Sequence, residues 1–192
     1  PVMLAEGMAP PPLLFVRGDV ASLSRPALAI VGSRHATPQA LRIARDFGQA
    51  LSDAGVVVVS GMADGIDTAA HEGALRGRDA TVAVWGTGID RVYPAKNKAL
   101  AQQITGQGCV VSEFPLDTRP VAGNFPRRNR IIAALSQATL VVEAAPESGS
   151  LITARLAAEM GREVLAVPGS IDNPHSKGCH ALIKQGAKLT EN

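Results

Sequence analysis

Short valine-rich runs recur along the chain, and each is separated from the next by a segment with the periodicity of an amphipathic helix or by a glycine-rich loop. The runs are residues 27–31, 56–60, 81–85, 109–112, 140–143 and 163–167. Runs this short and this uniformly apolar are typical of strands buried on both faces of a parallel sheet. Their alternation with helices predicts an α/β fold: a doubly wound, mostly parallel sheet in a three-layer α/β/α arrangement.

Capping residues mark where the helices begin and end. Thr37 followed by Pro38 predicts the N-cap and first position of a helix, and its apolar residues then recur at steps of three and four until Gly55. The other predicted helices are residues 67–76, 97–107, 128–136 and 151–160.

The first 26 residues have a different character from the rest. Three consecutive prolines, residues 10–12, precede the apolar residues 13–16. Because proline cannot donate to a sheet ladder, we predict that residues 1–26 form an N-terminal extended arm that supplies an edge strand. A chain of 192 residues fits one domain with a substantial core, which we assign to residues 27–192.

The overall composition is that of a globular protein, with 46% hydrophobic and 19% charged residues. The two cysteines, Cys109 and Cys179, are far apart and form no C-x-x-C pair. This argues against a disulfide framework or a zinc site and favours a reducing compartment, so we expect a cytoplasmic protein. No apolar run approaches the length needed to span a bilayer, and we expect no membrane partner.

A strongly basic stretch stands out against a net charge of +2. Residues 118–142 contain Arg119, Arg127, Arg128 and Arg130 but no acidic residue. One interpretation is a solvated basic helix start. Arginine is unfavourable near a helix N-terminus, however, because the helix dipole is positive there. We therefore favour an anionic partner for this stretch.

Four predicted strand ends lead into loops rich in glycine and serine. The loops are Gly32–Arg34, Ser60–Gly65, Gly86–Gly88 and Glu147–Ser150. Small residues let backbone amides approach an anion, and the carboxyl ends of parallel strands meet at one edge of the sheet. This pattern favours phosphate binding, while the alternative is that the glycines only permit tight turns.

Common catalytic motifs are missing. The chain has no G-x-x-x-x-G-K-[ST] and no G-x-S-x-G, and Gly32 is followed by Ser33 and Arg34 rather than by a G-x-G-x-x-G pattern. These absences argue against a Walker-type NTPase, a serine hydrolase and a nicotinamide dehydrogenase. Asp67 and His71 have helical i, i+4 spacing, but without a third ligand we interpret them as a capping and packing pair.

Phe125 precedes Pro126 and the arginine cluster, and two interpretations remain open for it. It is either a core residue or an exposed platform on which a nucleobase stacks while nearby Arg and Asn side chains contact phosphate or base edges. The second interpretation suits single strands better than duplex, because unstacked bases are accessible.

Several ordered motifs resemble those of the DprA/Smf family of bacterial DNA-processing proteins, in its central domain. They are A-I-V-G-S-R (Ala29–Arg34), S-G-M-A-D-G-I-D (Ser60–Asp67), G-T-G-I-D-R-V-Y-P (Gly86–Pro94), S-E-F-P (Ser112–Pro115), F-P-R-R-N-R-I-I-A-A-L-S (Phe125–Ser136), V-V-E-A with S-G-S-L-I-T-A (within Val141–Ala154), A-V-P-G (Ala166–Gly169) and L-I-K-Q-G-A (Leu182–Ala187).

The resemblance implies an extended Rossmann-like fold that binds single-stranded DNA, forms a homodimer and helps to load the RecA recombinase onto incoming DNA during natural transformation. It implies no catalytic residue, metal or cofactor. Together with the loop analysis, it gives the candidate nucleic-acid-binding residues: Gly32, Ser33, Arg34, Gly61, Gly65, Phe125, Arg127, Arg128, Asn129, Arg130, Ser148, Gly149 and Ser150.

Three positions depart from the family pattern. Asp64 stands where the family usually has arginine, so no positive contact can be transferred to it, and it is left out of the candidate site. Ala134 replaces a usual glycine and His180 a usual asparagine; we expect both changes to alter packing only.

Two other functions remain as alternatives. A nucleotide phosphoribohydrolase of the related lysine-decarboxylase-like Rossmann group would also place glycine loops and arginine over a phosphate. Its usual P-G-G-x-G-T-x-x-E is absent, because Pro168-Gly169 is followed by Ser170 and Ile171. A purely protein-binding scaffold is the third class, distinguished by binding RecA but no oligonucleotide.

Overall fold

The apolar runs form the strands of one sheet in the computed structural model, which describes residues 1–192. The strands are β1 (Phe15–Gly18), β2 (Ala27–Val31), β3 (Val57–Ser60), β4 (Thr81–Val84), β5 (Cys109–Ser112), β6 (Ala138–Val141), β7 (Glu163–Ala166) and β8 (Lys188–Leu189). The helices are α1 (Val2–Ala5), α2 (Pro38–Asp53), α3 (Ile66–Ala74), α4 (Lys98–Gln107), α5 (Asn124–Leu135), α6 (Ser150–Glu159) and α7 (Lys177–Lys184).

The sheet order is β1-β5-β4-β3-β2-β6-β7-β8, and every pairing is parallel except that of β1 with β5. From β2 the chain builds outward through β3, β4 and β5, and then returns to place β6 on the other side of β2. In register, Ala29 of β2 lies opposite Val59 of β3 and Thr139 of β6. The order therefore reverses between β2 and β6, where the connections leave in opposite directions and open a crevice.

Alternate residues of β2 enter two different cores, as strand geometry requires. Ala29 and Val31 join a cluster that includes Ile131 of α5, whereas Ile30 joins a cluster with Ala44 of α2 and Ala70 of α3. Helices thus cover both faces of the sheet. The predicted three-layer α/β fold with a doubly wound, mostly parallel, extended Rossmann-like sheet is confirmed.

The local signals located α2 well. The Thr37 hydroxyl oxygen accepts from the Ala40 amide at 3.2 Å, with Pro38 in the first position, as the sequence predicts. The same hydroxyl donates to the Glu143 carboxylate at 2.8 Å, and the Thr37 amide donates to its other oxygen at 3.0 Å. The cap therefore also ties α2 to the segment that follows β6.

Helix α5 begins earlier than predicted. The predicted start at residue 128 was wrong, because Asn124, Phe125 and Pro126 already belong to the helix. Pro126 lies in the first turn, where the backbone amides have no intrahelical acceptor and a missing N–H costs nothing. Helix α7 and strand β8 were not predicted at all.

The first 26 residues are only partly extended. Strand β1 lies antiparallel to β5 at the sheet edge, with Phe15 opposite Ser112. Residues Val2–Ala5, however, form α1, and Val20–Ser24 form a 3-10 helix, so this segment is not an extended arm throughout. Leu4 of α1 is buried in the same cluster as Ala134 of α5. No helix of the structure is long and apolar enough to cross a bilayer.

Candidate nucleic-acid interface

A cavity of about 420 Å³ lies where the strand order reverses, at the carboxyl ends of β2 and β6. Its walls come from the loop after β2, the first turns of α5, and the loop that leads from β6 into α6. The candidate residues that line it are Gly32, Ser33, Arg34, Phe125, Arg128, Asn129, Ser148, Gly149 and Ser150. Residues far apart in sequence therefore meet at one site.

A smaller cleft of about 60 Å³ adjoins this cavity, and Gly61 is the candidate residue that lines only the cleft. Arg34, Phe125 and Arg128 line both spaces. The remaining candidates, Gly65, Arg127 and Arg130, line neither.

Phe125 is half-buried, so neither of the two interpretations describes it fully. Its ring centre lies 5.7 Å from the Arg34 guanidinium carbon, 5.8 Å from that of Arg128 and 5.5 Å from the Tyr93 ring centre. A Cβ added to Gly86 would come within 2.8 Å of the Phe125 ring, which shows that the ring packs directly on the end of β4. One part of the ring is thus packed against the protein, and another part lines the cavities.

Arg34 and Arg128 both lie close to this ring but differ in environment. Arg34 is exposed, whereas Arg128 is only 4% exposed. The buried guanidinium donates to the carbonyl oxygens of Gly61 at 2.7 Å and Val84 at 2.5 Å. Burial lowers the pKa of Arg128 to about 10, against the opposing effect of the Asp67 carboxylate. Arg128 therefore joins the ends of β3 and β4, and Arg34 remains the free charge.

Asp67 and His71 lie beneath Arg128. Burial raises the pKa of Asp67, opposed chiefly by the positive charge of Arg128 and by hydrogen bonds from the backbone of Ala63. Burial and, secondarily, the charge of Arg128 lower the pKa of His71 to about 3, and its Nδ1 lies 2.7 Å from the Thr81 hydroxyl. His71 is therefore neutral at pH 7. No group of three His, Cys, Asp or Glu residues is placed to hold a metal ion.

Glu113, an acid that precedes the basic stretch, neutralises part of its charge. The Glu113 carboxylate accepts from two guanidinium nitrogens of Arg130, at 2.6 and 2.7 Å, and its side chain is only 4% exposed. Arg130 also donates to the Ala9 carbonyl oxygen at 2.9 Å. Arg127 approaches Glu113 less closely, at 3.4 Å, and stays 63% exposed. Arg130 is therefore held by Glu113, whereas Arg127 stays largely available to another partner.

The glycines divide between the two interpretations given for them. Gly65 has φ +77°, and an added Cβ would come within 2.2 Å of the Ser33 carbonyl oxygen, so this glycine is required by the turn before α3. Gly61 lies against the Arg128 guanidinium, which a Cβ would approach to 2.6 Å. Gly149 is different: nothing lies within 4 Å of an added Cβ, and its amide donates to no backbone acceptor at the start of α6. Its N–H is available to an anion.

Sequence reasoning missed several residues of the cavity and the cleft. His35 and Glu147 line the cavity from loops already suspected, and Tyr93 lines the cleft. His175 reaches the cavity from the segment between β7 and α7. His35, Glu147 and Tyr93 could have been found from the sequence, because they lie in or beside the glycine-rich loops and family motifs. His175 could not, because the segment before α7 was not predicted to reach the site.

The family model of DNA recombination-mediator protein A matches residues 1–192. The chain belongs to the DNA recombination-mediator protein A family.

Curated family members are 45–51% identical to this chain over the matched regions. Protein Smf of Escherichia coli K12 is 51% identical over 93% of this chain and 48% of its own length. DNA processing protein DprA of Streptococcus pneumoniae is 46% identical over 97% of this chain and 66% of its own length. Protein Smf of Synechocystis is 45% identical and is matched over 50% of its length. The chain thus spans about half the length of the Escherichia coli and Synechocystis Smf proteins.

Solved structures of the family superpose closely. DprA from Streptococcus pneumoniae matches with TM-score 0.95 and 46% identity, over 99% of this chain and 67% of that one. DprA from Helicobacter pylori, in a study of its single-stranded DNA binding mode, matches with TM-score 0.93 and 32% identity over 100% of this chain and 88% of that one. A molybdenum cofactor binding protein from Rippkaea orientalis, at 19% identity and TM-score 0.59 over 88% of this chain and 90% of that one, shares the fold alone.

Proposed function

We propose that this DprA/Smf family member binds single-stranded DNA in the cavity between β2 and β6, protects the incoming strand and helps to load RecA during natural transformation. It acts by binding rather than by catalysis, as a cytoplasmic homodimer. Family membership and the single-stranded DNA binding of the Helicobacter pylori relative support the DNA part of the proposal.

One observation carries the DNA-binding proposal: the exposed Arg34 guanidinium lies over the ring of the half-buried Phe125 at the cavity wall. A cation beside an aromatic face supplies the two contacts that a flexible single strand offers, a phosphate and an unstacked base. The free amide of Gly149 and the adjacent start of α6 add a second anion-binding element within the same cavity.

The test of this site is binding of a fluorescent oligothymidine to the wild type and to Arg34→Ala. We expect binding to weaken roughly tenfold or more, because a charge-assisted contact contributes roughly 1.5–3 kcal/mol. Arg78→Ala is the matched control: Arg78 is exposed and precedes β4 at the opposite edge of the sheet. Equal affinities of the two variants would contradict the proposed site.

Phe125→Ala separates stacking from charge. Stacking contributes about 1–3 kcal/mol per base, so we expect weaker binding with an unchanged salt dependence. Urea unfolding of the same variant is the necessary control, since the ring also packs on Gly86. Loss of folding rather than of binding would assign Phe125 to the core.

The homodimer and RecA parts of the proposal rest on family membership. Sedimentation equilibrium tests the first: a monomer at micromolar concentration would contradict it. For the second, we expect the protein to accelerate RecA filament assembly on single-stranded DNA, measured as RecA-dependent ATP hydrolysis. An unchanged rate would limit the function to strand binding.

A further inference from the structure

The cleft beside Phe125 contains a carboxylate. A negatively charged side chain does not favour the binding of a polyanion, so its presence here calls for another role. Asp64 lines this space together with Trp85, Thr87 and Tyr93. The cleft shares Arg34, Ala63, Phe125 and Arg128 with the larger cavity, so the two spaces are adjacent. A base that stacks on Phe125 would therefore have its edge near Asp64.

The Asp64 side chain is 40% exposed, and its only charged partner is Lys96, whose Nζ lies 2.9 Å from Oδ1. This approach does not meet hydrogen-bond geometry, and Oδ1 is buried without a hydrogen-bond partner. An ionised carboxylate accepts hydrogen bonds and donates none. Because Oδ1 is buried against Lys96, the acceptor that the partly exposed Asp64 carboxylate offers to the cleft is Oδ2, which accepts no hydrogen bond within the chain.

Charge considerations restrict what this carboxylate can contact. Like charges repel, so a phosphate beside Asp64 would be disfavoured, while Lys96 offsets the negative charge seen from a distance. A neutral hydrogen-bond donor is the complementary group. The donors that a single strand offers are the N–H groups on the edges of its bases.

We propose that Asp64 selects the base that stacks on Phe125, accepting a hydrogen bond from an exocyclic amino group and thereby favouring cytosine over thymine. The inference rests on the proposed single-stranded DNA function. Cytosine presents the N4 amino group where thymine presents the O4 acceptor, and a carboxylate facing O4 would meet a second lone pair. The two pyrimidine rings are of similar size, so stacking on Phe125 does not separate them.

The experiment compares oligodeoxycytidine and oligothymidine of equal length at one salt concentration and pH 7.5, by fluorescence anisotropy. We expect the wild type to bind oligodeoxycytidine about fivefold or more tightly, in the range of one base-edge contact. In Asp64→Asn, whose amide both donates and accepts, the ratio should fall below about twofold. Asp53→Asn, at an exposed position that ends α2 at the opposite edge, should retain the wild-type ratio.

A second variant covers failure of Asp64→Asn to fold. Lys96→Met removes the partner and keeps the carboxylate, so both oligonucleotides should bind more weakly while the cytosine preference remains. Equal binding of the two oligonucleotides by the wild type, or a preference that survives Asp64→Asn, overturns this inference and leaves the proposed function intact. If the wild type binds neither oligonucleotide, the proposed function itself fails.

Discussion

Arg128 lies with its guanidinium between the ends of β3 and β4, facing the buried carboxylate of Asp67. Arg128→Met would leave that carboxylate buried without its cation and two carbonyl oxygens without a donor. We expect the free energy of unfolding to fall by about 3–5 kcal/mol, the usual cost of breaking a buried pair, measured by urea denaturation.

The coupling of this pair can be measured directly. Adding Asp67→Asn to Arg128→Met should recover part of the loss, because the remaining buried group is then neutral. Arg78→Met, an exposed arginine replaced in the same way, should change stability by less than about 0.5 kcal/mol. Strict additivity of the two buried substitutions would contradict the electrostatic coupling of Arg128 and Asp67.

His71 predicts a specific pH dependence. The pKa of the folded state is about 3, below the ordinary value of 6.5, so the unfolded chain binds the proton more tightly. The contribution of His71 to stability is therefore complete above pH 6.5 and is lost as pH falls toward 3. Between pH 7 and pH 5 the loss is about 2 kcal/mol.

Comparison with His71→Gln isolates this effect. The raised pKa of Asp67 acts in the opposite direction, since its protonation favours the folded state as pH falls. Both proteins share Asp67, so the difference in their urea unfolding free energies between pH 7 and pH 5 reports His71. A wild-type stability that tracks the variant across this range would show that the pKa of His71 is the same in the folded and unfolded chain.

At the scale of elements, the residue that caps α2 also holds this helix to a distant segment of the chain. Thr37→Ala removes the cap of α2 and a donor to Glu143, which is 5% exposed. We expect a loss of about 1–2 kcal/mol in thermal or urea unfolding. Thr105→Ala is the control, because the Thr105 hydroxyl bonds only to the Gln102 carbonyl of its own helix. An equal loss of stability in this variant would show that the Thr37 cap contributes no more than an ordinary helical threonine.

The elements also show where prediction from sequence stops. The strands were located because a run such as Val57–Ser60 is buried over its whole length, and burial leaves an unbroken apolar pattern. Helix α7 escaped prediction because it is only 8 residues long, and about two turns are too few for its apolar periodicity to stand out from the neighbouring loop. The early start of α5 depends on first-turn geometry, which permits Pro126.

For the whole molecule, the ion pairs determine how strongly binding responds to salt. Five free arginines, Arg34 and the four within residues 118–142, would give a slope of log K against log salt of about −3.5 for a single strand. Glu113 occupies Arg130, and Asp67 faces the buried Arg128, which leaves Arg34, Arg119 and the exposed Arg127. We therefore expect a slope of about −2 for oligothymidine.

The control is Glu113→Gln, which frees Arg130 and should make the slope steeper by about 0.7, while Arg78→Ala should leave it unchanged. Titration from 50 to 300 mM NaCl by fluorescence anisotropy gives all three slopes. A flat response in the wild type would contradict an electrostatic interface, and a slope of −3 would mean that Glu113 releases Arg130 on binding.

Short-range patterns in the sequence were sufficient for the layered α/β sheet, the cap at Thr37 and the position of the cavity at the carboxyl edge. Each depends on neighbours in the chain or on the rule that parallel strands end together. Tertiary structure alone decided which charges are free, because Glu113 and Asp67 reach the arginines through space. It also placed Asp64 and His175 beside the candidate site, since which loops meet there depends on how the chain crosses the sheet.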